Sequence, residues 1–284
     1  MNILPENNFN DVHHSELGKR TIYPQGYSSA YLCPIARAGK RLEIGIDPDA
    51  IPFVGFDCWN HYEVSWLNEK GKPIVAIAEI VYDCNSPFIV ESKSLKLYFN
   101  SFNQFKFKSA DQIIQTIQKD LGPILKTPVA VALYPLHSTQ LPPLRTAFGG
   151  LCLDDLDIEC SIYTPDPNFL RTENTWLTES IYSDLLKSNC LVTHQPDWGS
   201  VQISYEGNKI NHKGLLHYIV SYRDHNEFHE QCIERIFVDI LNRCSPKKLS
   251  VYGRYTRRGG LDINPYRSTH AVDFKNLNFR LPRQ

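Results

Sequence analysis

Residues 71–102 read GKPIVAIAEIVYDCNSPFIVESKSLKLYFNSF, a strand pattern followed directly by a helix pattern. The segment 71–82 is rich in β-branched residues and bounded by turn formers, which predicts one strand. In the segment 88–102, apolar residues recur at helical spacing, so one face of the predicted helix is apolar. We expect Ser92 or Ser94 to cap its start. The apolar positions of this helix are Leu95, Tyr98, Phe99 and Phe102.

A second helix, a strand and a candidate linker are predicted next along the chain. A second helix with an apolar face begins near Ser109, and we expect Gly122 and Pro123 to end it. Residues 129–134 are predicted to form a strand. The proline- and glycine-containing stretch 141–150 is a candidate linker between two halves of the chain.

The second half repeats this order. A shift of 120 residues superimposes the halves and pairs Tyr98 with Tyr218 and Leu121 with Leu241. A tandem repeat of one α+β unit, with antiparallel sheets and helix pairs on one face, is the simplest account. The predicted strands are 176–186, 200–205, 249–255 and 261–263, and the predicted helices are 214–222 and 228–241.

The domain organisation follows from this repeat. We expect an irregular N-terminal arm over 1–60, a first module over 61–145 and a second module over 146–284. With 42% hydrophobic and 21% charged residues among 284, the chain has the composition of a globular protein rather than a disordered one.

Net charge and apolar runs limit the partners of this chain. Its formal net charge of -1 provides no overall attraction to nucleic acid or to an anionic membrane. It has no apolar run of ~18 residues that would span a bilayer, and the start shows no secretory signal pattern. We therefore expect a cytoplasmic protein whose eight cysteines remain reduced.

Cys190 is the first candidate for chemistry, because it lies in a polar stretch between two predicted strands. A thiolate is a strong nucleophile when its surroundings lower its pKa, although a buried free cysteine more often has a packing role. Asp197 follows Pro196 on a rigid turn and could fold back as its proton donor or hydrogen-bond partner. His194 could pair with the thiolate or serve as half of a metal site, but no second ligand pair supports a metal.

Other polar residues have two interpretations each. Glu91, at a strand-to-helix junction, is either a helix cap or an acceptor for the edge of a purine-like ring. His229 and Glu230 are either a solvated first helical turn or a ligand-binding pair. Basic residues in loops and helix starts are either solvated or bind phosphate. These basic residues are Lys93, Lys96, Arg254, Arg257 and Arg258.

Two motifs carry a resemblance to a known family. The run ESKSLKLY at 91–98, together with Cys190 and the run THQPDW at 193–198, resembles the NADPH-dependent 7-cyano-7-deazaguanine (preQ0) reductases of queuosine biosynthesis. The resemblance extends over nearly the whole chain and is to the longer, two-module subfamily. It implies the tunnelling fold that these reductases share with GTP cyclohydrolases.

The resemblance also implies an activity, the four-electron reduction of a nitrile to a primary amine. Cys190 would form a covalent thioimide, Asp197 would donate a proton, and NADPH would supply hydride twice. The first half has no cysteine paired with the nucleophile, so one active centre per chain is implied, in a homodimer or larger assembly, with no metal. The implied substrate-binding residues are Val90, Glu91, Ser92, His229 and Glu230. The implied NADPH-binding residues are Ser92, Lys93, Arg258 and Gly259.

Two other functions remain open from the residues alone. One is a tunnelling-fold cyclohydrolase or a thiol hydrolase that acts on a purine or pterin, which in the cyclohydrolase case requires zinc and no NADPH. The other is a binding or assembly protein for deazapurines, without catalysis.

Overall fold

The computed structural model describes Tyr23, residues 26–274 and residues 277–284. Within them the predicted α+β class is confirmed. The helices are α1 (Ala38–Glu43), α2 (Ser92–Asn100), α3 (Ala110–Leu125), α4 (His212–Val220) and α5 (His229–Cys244). The strands are β1 (Pro34–Ala36), β2 (Val54–Leu67), β3 (Pro73–Asp83), β4 (Phe88–Val90), β5 (Val129–Tyr134), β6 (Leu151–Cys152), β7 (Thr172–Ser183), β8 (Lys187–Asn189), β9 (Pro196–Ile210), β10 (Lys248–Tyr255) and β11 (Leu261–Ser268).

One sheet runs through both halves of the chain. Its strand order is β5-β3-β2-β11-β10-β9-β7-β6, and β8 pairs with β9 beside this path. All of these pairings are antiparallel except that of β6 with β7. The halves join where β11 pairs with β2, from Leu261 opposite His61 to Ser268 opposite Val54. Residues from both modules therefore meet at this junction.

The helix pairs pack against one face of the sheet, as predicted. The α2–α3 pair forms a core with β2 and β3, which includes Trp59, Tyr98 and Leu121. The α4–α5 pair forms a second core with β7, β9 and β10. The opposite face is covered by the C-terminal segment, where Phe279 and Leu281 pack against aromatic residues of the strands. None of the described helices is long and apolar enough to cross a bilayer.

Equivalent tyrosine side chains make the same hydrogen bond in the two halves. The Tyr98 hydroxyl donates to Asp120 Oδ2 over 2.7 Å, and the Tyr218 hydroxyl donates to Asp239 Oδ2 over 2.6 Å. Helices α2 and α4 begin 120 residues apart, which matches the predicted shift. Helices α3 and α5 begin 119 residues apart, however, because the connection between the helices is one residue shorter in the second half.

The predicted pairing of Leu121 with Leu241 is therefore wrong by one residue. Buried residues of α3 at 113, 117, 121 and 125 correspond to buried residues of α5 at 232, 236, 240 and 244. Leu241 is only partly buried, since it lies beside this apolar stripe. The identity with Leu121 arose because both helices are apolar over a wide face.

Two predicted helix ends also differ from the structure. Glu91 caps α2 in place of Ser92 or Ser94, because its two carboxylate oxygens reach two backbone N–H groups of the first turn. Helix α3 continues through Gly122 and Pro123 to Leu125 and ends at Lys126, which has a left-handed backbone conformation. Pro123 costs only a hydrogen bond of the last turns, while continuation buries Leu125 completely.

The N-terminal arm is more regular than predicted. Strand β1, helix α1 and the start of β2 lie within residues 26–60, so the expected boundary at residue 60 falls inside β2. Gly55 lies at the start of β2. A Cβ at Gly55 would lie 2.0 Å from the Tyr266 carbonyl oxygen, so glycine there lets β2 approach β11. Residues 1–22, 24 and 25 of the arm lie outside the described residues. The candidate linker 141–150 holds no helix or regular strand, as expected.

Candidate active site

A small cavity lies at the junction of the two halves. Residues from β2 and β11, the start of α2, the turn after β8, the start of β9 and the start of α5 form its walls. Its volume is about 20 Å³, room for roughly one water molecule, so a bicyclic ligand requires the walls to move apart. The lining residues are Trp59, Ile89, Val90, Ser92, Cys190, Asp197, Phe228, His229, Glu230, Arg258 and Ile263.

Cys190 is held by a tight turn directly after β8. Its backbone N–H donates to the Gln195 carbonyl over 2.9 Å, and its carbonyl accepts from the His194 N–H over 3.1 Å. The side chain is 4% exposed, so this loop cysteine is as buried as a core residue, although it faces the cavity. The His194 side chain is exposed, and its Nδ1 lies 3.2 Å from Asn226 Oδ1. The His194 ring thus contacts Asn226 at the surface of the protein.

Asp197 lies at the start of β9 and lines the same cavity as Cys190. Its Oδ2 is 3.4 Å from His229 Nε2, and its Oδ1 is 3.2 Å from Arg258 Nη2. Burial by itself raises the pKa of Asp197, but the charges of His229, Arg258 and Lys96 hold that pKa below its ordinary value. Asp197 is therefore a carboxylate at neutral pH, ready to accept a proton.

His229 and Glu230 form the first turn of α5. The His229 ring stacks on the Tyr255 ring with centroids 3.9 Å apart, which fixes the plane of the imidazole. Glu230 is 1% exposed, and its Oε1 has no hydrogen-bond partner among the described residues. Burial, reinforced by the Asp57 carboxylate, raises the pKa of Glu230 to about 8. An unpaired buried carboxyl oxygen of this kind is ready to accept hydrogen bonds from a ligand.

Glu91 is a helix cap, which is one of the two roles that the sequence left open. Its oxygens accept from the Lys93 and Ser94 N–H groups, each over 2.7 Å. It is not among the residues that line the small cavity. Burial raises its pKa, while the two N–H donors and the charges of Lys96 and Lys93 oppose that rise. Its direct effect is to fix the start of α2, next to Val90 and Ser92.

A larger cleft of about 840 Å³ lies beside the small cavity. Lys93, Lys96 and Gly259 line it, whereas Arg258 lines the small cavity next to it. Burial and the nearby Arg258 charge lower the pKa of Lys96. Gly259 has a φ of 60°, and a Cβ there would lie 3.2 Å from the Lys96 side chain, so glycine leaves room for that lysine. The cleft has the volume of a site for an extended ligand, and its lysines suit phosphate groups.

Three side chains that could ligate a metal lie close together behind the site. Donor atoms of His225, Glu227 and Cys232 are within 4.8 Å of one another. Arg235 Nη2 donates to Glu227 Oε1 over 2.6 Å, and His225 Nε2 lies 2.8 Å from Oε2. Both carboxylate oxygens of Glu227 thus already have partners. The three residues therefore fit a structural ion-pair cluster better than a catalytic metal site.

The structure brings seven of the ten predicted site residues into the walls of one cavity and places the other three beside it. Lys93 and Gly259 line the larger cleft, and Glu91 supports the wall as a cap. The sequence did not reveal the apolar walls, because their pattern is that of ordinary core strands and helices. It also did not reveal Tyr255, whose role depends on a stacking contact across 26 positions of chain. The apolar lining residues are Trp59, Ile89, Phe228 and Ile263.

A buried thiol and a carboxylate line one cavity, an arrangement that would suit a cysteine-dependent enzyme. The N-terminal model of nitrile reductase, 7-cyano-7-deazaguanine-reductase, matches residues 23–133, and the model for QueF-like protein matches residues 196–273. The chain belongs to the family of NADPH-dependent 7-cyano-7-deazaguanine reductases, as three curated relatives show.

The relatives that carry this name match the chain almost from end to end. The protein of Legionella pneumophila (strain Lens) is 60% identical over 275 residues, which is 97% of this chain and 96% of the relative. That of Azoarcus sp. (strain BH72) is 51% identical over 93% of this chain and 94% of its own length. That of Coxiella burnetii (strain Dugway 5J108-111) is 51% identical over 95% and 96%. The resemblance found from the two motifs is thereby confirmed.

Proposed function

We propose that this chain catalyses the NADPH-dependent reduction of the nitrile of 7-cyano-7-deazaguanine to the primary amine 7-aminomethyl-7-deazaguanine, in queuosine biosynthesis. The names of the relatives support the substrate and the cofactor. The single observation that carries the mechanism is that Cys190 and Asp197 line one cavity together with Glu230.

The start of α5 and the end of β4 hold the deazaguanine. Glu230 accepts N–H groups of the ring through its unpaired oxygen, and His229 and Val90 complete the walls with Ser92. Glu91 acts through the helix start, because both of its oxygens already accept from backbone N–H groups. The ring enters as the walls separate, since the cavity without ligand is small.

The thiol of Cys190 adds across the nitrile. Asp197 is held as a carboxylate by its cationic neighbours, so it takes the thiol proton and passes it to the nitrile nitrogen as the sulfur–carbon bond forms. The product of this step is a thioimide, which contains all atoms of thiol and nitrile. Covalent attachment divides one difficult reduction into easier steps, because a nitrile carbon is a poor hydride acceptor.

The larger cleft fits the cofactor. NADPH held there would supply hydride to the thioimide carbon and, once the Cys190 thiolate has left, to the imine carbon, while the nitrogen takes up one proton at each reduction. Lys93 and Lys96 in the cleft are suited to its phosphates, and the space that Gly259 leaves admits the Lys96 chain. Arg258 stands at the entrance to the small cavity, where it also pairs with Asp197. Ser92, which lines the small cavity, contacts the reacting end of the cofactor.

We also infer a homodimer in the cytoplasm. Within the part of the chain that the structure describes, strand β5 at one end of the sheet and most of β7 near the other end have no strand paired along their outer edge, and Trp176 on β7 is 60% exposed. Such edges favour pairing with a second chain. The eight free cysteines suit a reducing compartment. Light scattering after size exclusion measures the assembly, and a monomer at micromolar concentration would contradict the dimer.

Intact mass spectrometry tests the mechanism. Without NADPH, 7-cyano-7-deazaguanine should add its own mass once per chain, and peptide mapping should place the adduct on Cys190. Cys190→Ala should lose both the adduct and turnover, while Cys160→Ala, a partly exposed cysteine outside the cavity, should keep both. With NADPH, two cofactor molecules should be oxidised per nitrile. Full turnover in the Cys190→Ala variant would overturn the mechanism.

A further inference from the structure

Residues 33–43, which include β1 and α1, lie next to β4, the strand that carries Ile89 and Val90 of the cavity wall. We call them the N-terminal clasp. Strand β1 pairs antiparallel with β4, and Pro34 lies opposite Val90. The Glu91 N–H donates to the Cys33 carbonyl over 2.8 Å, and the Cys33 N–H donates to Ser94 Oγ over 3.1 Å. The clasp therefore fixes the backbone that carries Val90 and the α2 cap.

The same clasp reaches the second module through two buried arginines. Arg41 donates from Nε and Nη2 to Glu234 on α5, over 2.9 and 2.7 Å. Arg37 bonds Asp57 on β2, and its Nη1 lies 3.5 Å from Glu234 Oε1. Arg267 on β11 closes the network, 2.8 Å from Asp57 Oδ1 and 2.8 Å from Glu234 Oε1. All five side chains are at most 4% exposed.

Glu230 lies on α5 one helical turn before Glu234, the carboxylate to which the three arginines bind. Asp57 from β2 raises the pKa of Glu230, while Arg37 and Arg267 lower it. Tyr82 from β3 also faces Glu230, and its phenol stays protonated because burial raises its pKa. Arg37 and Arg267 thus favour the carboxylate form of Glu230, against its burial and against the charge of Asp57.

We propose that the N-terminal clasp is a positioning element of the substrate cavity. Strand β1 holds the Val90 wall, and Arg37 keeps Glu230 available as a carboxylate that accepts hydrogen bonds from the ligand. Arg37 does not line the cavity and therefore acts through Glu230. This inference rests on the proposed function, since it assumes that Glu230 binds the deazaguanine ring.

Calorimetric binding of 7-cyano-7-deazaguanine tests the proposal. The parent is the Cys190→Ala variant, so that covalent chemistry does not contribute, and affinity is measured from pH 6 to 10. The affinity of the parent should rise towards a plateau above pH 8, as Glu230 ionises. Adding Arg37→Met removes a charge that favours the carboxylate, so the midpoint should move up by about one pH unit, and binding at pH 7 should weaken about tenfold.

Two further variants separate an effect on the pH midpoint of binding from an effect on the stability of the protein. Arg37→Met with Asp57→Asn removes opposite charges together and should return the midpoint to that of the parent. Arg41→Met loses bonds to Glu234 and to the Cys84 carbonyl and should lower stability without moving the midpoint. The ionisation of the ligand itself is common to all variants and cancels in these comparisons.

The binding experiment distinguishes failure of this proposal from failure of the proposed function. A folded Arg37→Met variant with the affinity and midpoint of the parent overturns the proposal. If that variant does not fold, the Asp57→Asn variant is measured instead. It removes a negative charge near Glu230, so a lower pH midpoint of binding supports the proposal and an unchanged midpoint overturns it. If the parent itself fails to bind 7-cyano-7-deazaguanine at any pH, the proposed function is wrong instead.

Discussion

The imidazole of His229 and the phenol ring of Tyr255 lie face to face, 3.9 Å apart and 13° from parallel. Gly199 lies opposite Tyr255 in the pairing of β9 with β10. A Cβ at Gly199 would come within 3.0 Å of the Tyr255 ring. Glycine at 199 thus leaves room for the Tyr255 ring that stacks on His229, and His229 Nε2 lies 3.4 Å from Asp197 Oδ2. A chain of contacts from the sheet sets the orientation of the proposed substrate and proton-transfer groups.

We expect Tyr255→Leu to weaken binding of 7-cyano-7-deazaguanine up to about tenfold, since a stacked aromatic pair contributes about 0.5–1.5 kcal/mol. Tyr255→Phe keeps the ring and should remain within about twofold of the parent. Affinity is measured in the Cys190→Ala background, and urea unfolding verifies that both variants are folded. Equal affinities for the two variants would show that stacking does not position His229.

Asp197→Asn should slow thioimide formation at least about 100-fold, because an amide cannot carry the proton from sulfur to nitrogen. The thioimide absorbance after rapid mixing without NADPH measures this step. The pKa of Asp197 is held below its ordinary value, so loss of the carboxylate by protonation should not limit the wild-type rate until the pH falls below about 4. The exposed Asp155→Asn variant serves as the control. An unchanged rate in Asp197→Asn would remove its proposed role.

Lys96→Gln should raise the KM for NADPH about tenfold, because a charge-assisted hydrogen bond to phosphate contributes about 1.5–3 kcal/mol. Lys106→Gln, an exposed lysine outside the cleft, should leave that KM unchanged. Steady-state oxidation of NADPH at saturating nitrile measures both. A wild-type KM in the Lys96 variant would place the cofactor phosphates elsewhere.

The ionisation of Glu227 should make the free energy of unfolding depend on pH in the acid range. Although burial opposes it, His225 and Arg235 lower the pKa of Glu227 to about 2. Because the folded-state value is lower than that of the unfolded chain, this stabilisation is complete above about pH 4.5 and is lost as the pH falls towards 2. Its size is about 3 kcal/mol by linkage. The free energy of unfolding in urea, measured between pH 3 and 7, should fall more steeply for wild type than for Glu227→Gln. Parallel curves would contradict the assignment.

The sequence predicted best where chemistry and turn signals coincide. Cys190, Asp197, His229 and Glu230 are polar residues next to the end or start of a strand or helix, and these element ends meet at the cavity between the two halves. The repeat was visible because Tyr98 and Tyr218 each donate a hydrogen bond to an aspartate of the following helix. A position with such a specific contact favours one residue type, so a single sequence can reveal it.

Other features could not be found in this way. The apolar wall residues Trp59 and Ile263 have the alternation of any buried strand, and their meeting depends on the pairing of β2 with β11. The offset of α5 by one residue is hidden because a wide apolar face tolerates either alignment. The Arg37 network joins residues up to about 230 positions apart in the chain, and no local pattern announces it.

The narrow walls around Cys190 also affect how fast the substrate arrives and what happens to it afterwards. A bicyclic molecule associates only as often as the walls of a 20 Å³ cavity part, so its on-rate should lie well below the diffusional limit. Cys190 is 4% exposed, so bulk solvent has little access to a sulfur–carbon bond formed there. Water that attacked the thioimide carbon would expel ammonia and leave a thioester, which a second water would hydrolyse to the carboxylic acid. Exclusion of solvent therefore selects the amine as the end product over the acid.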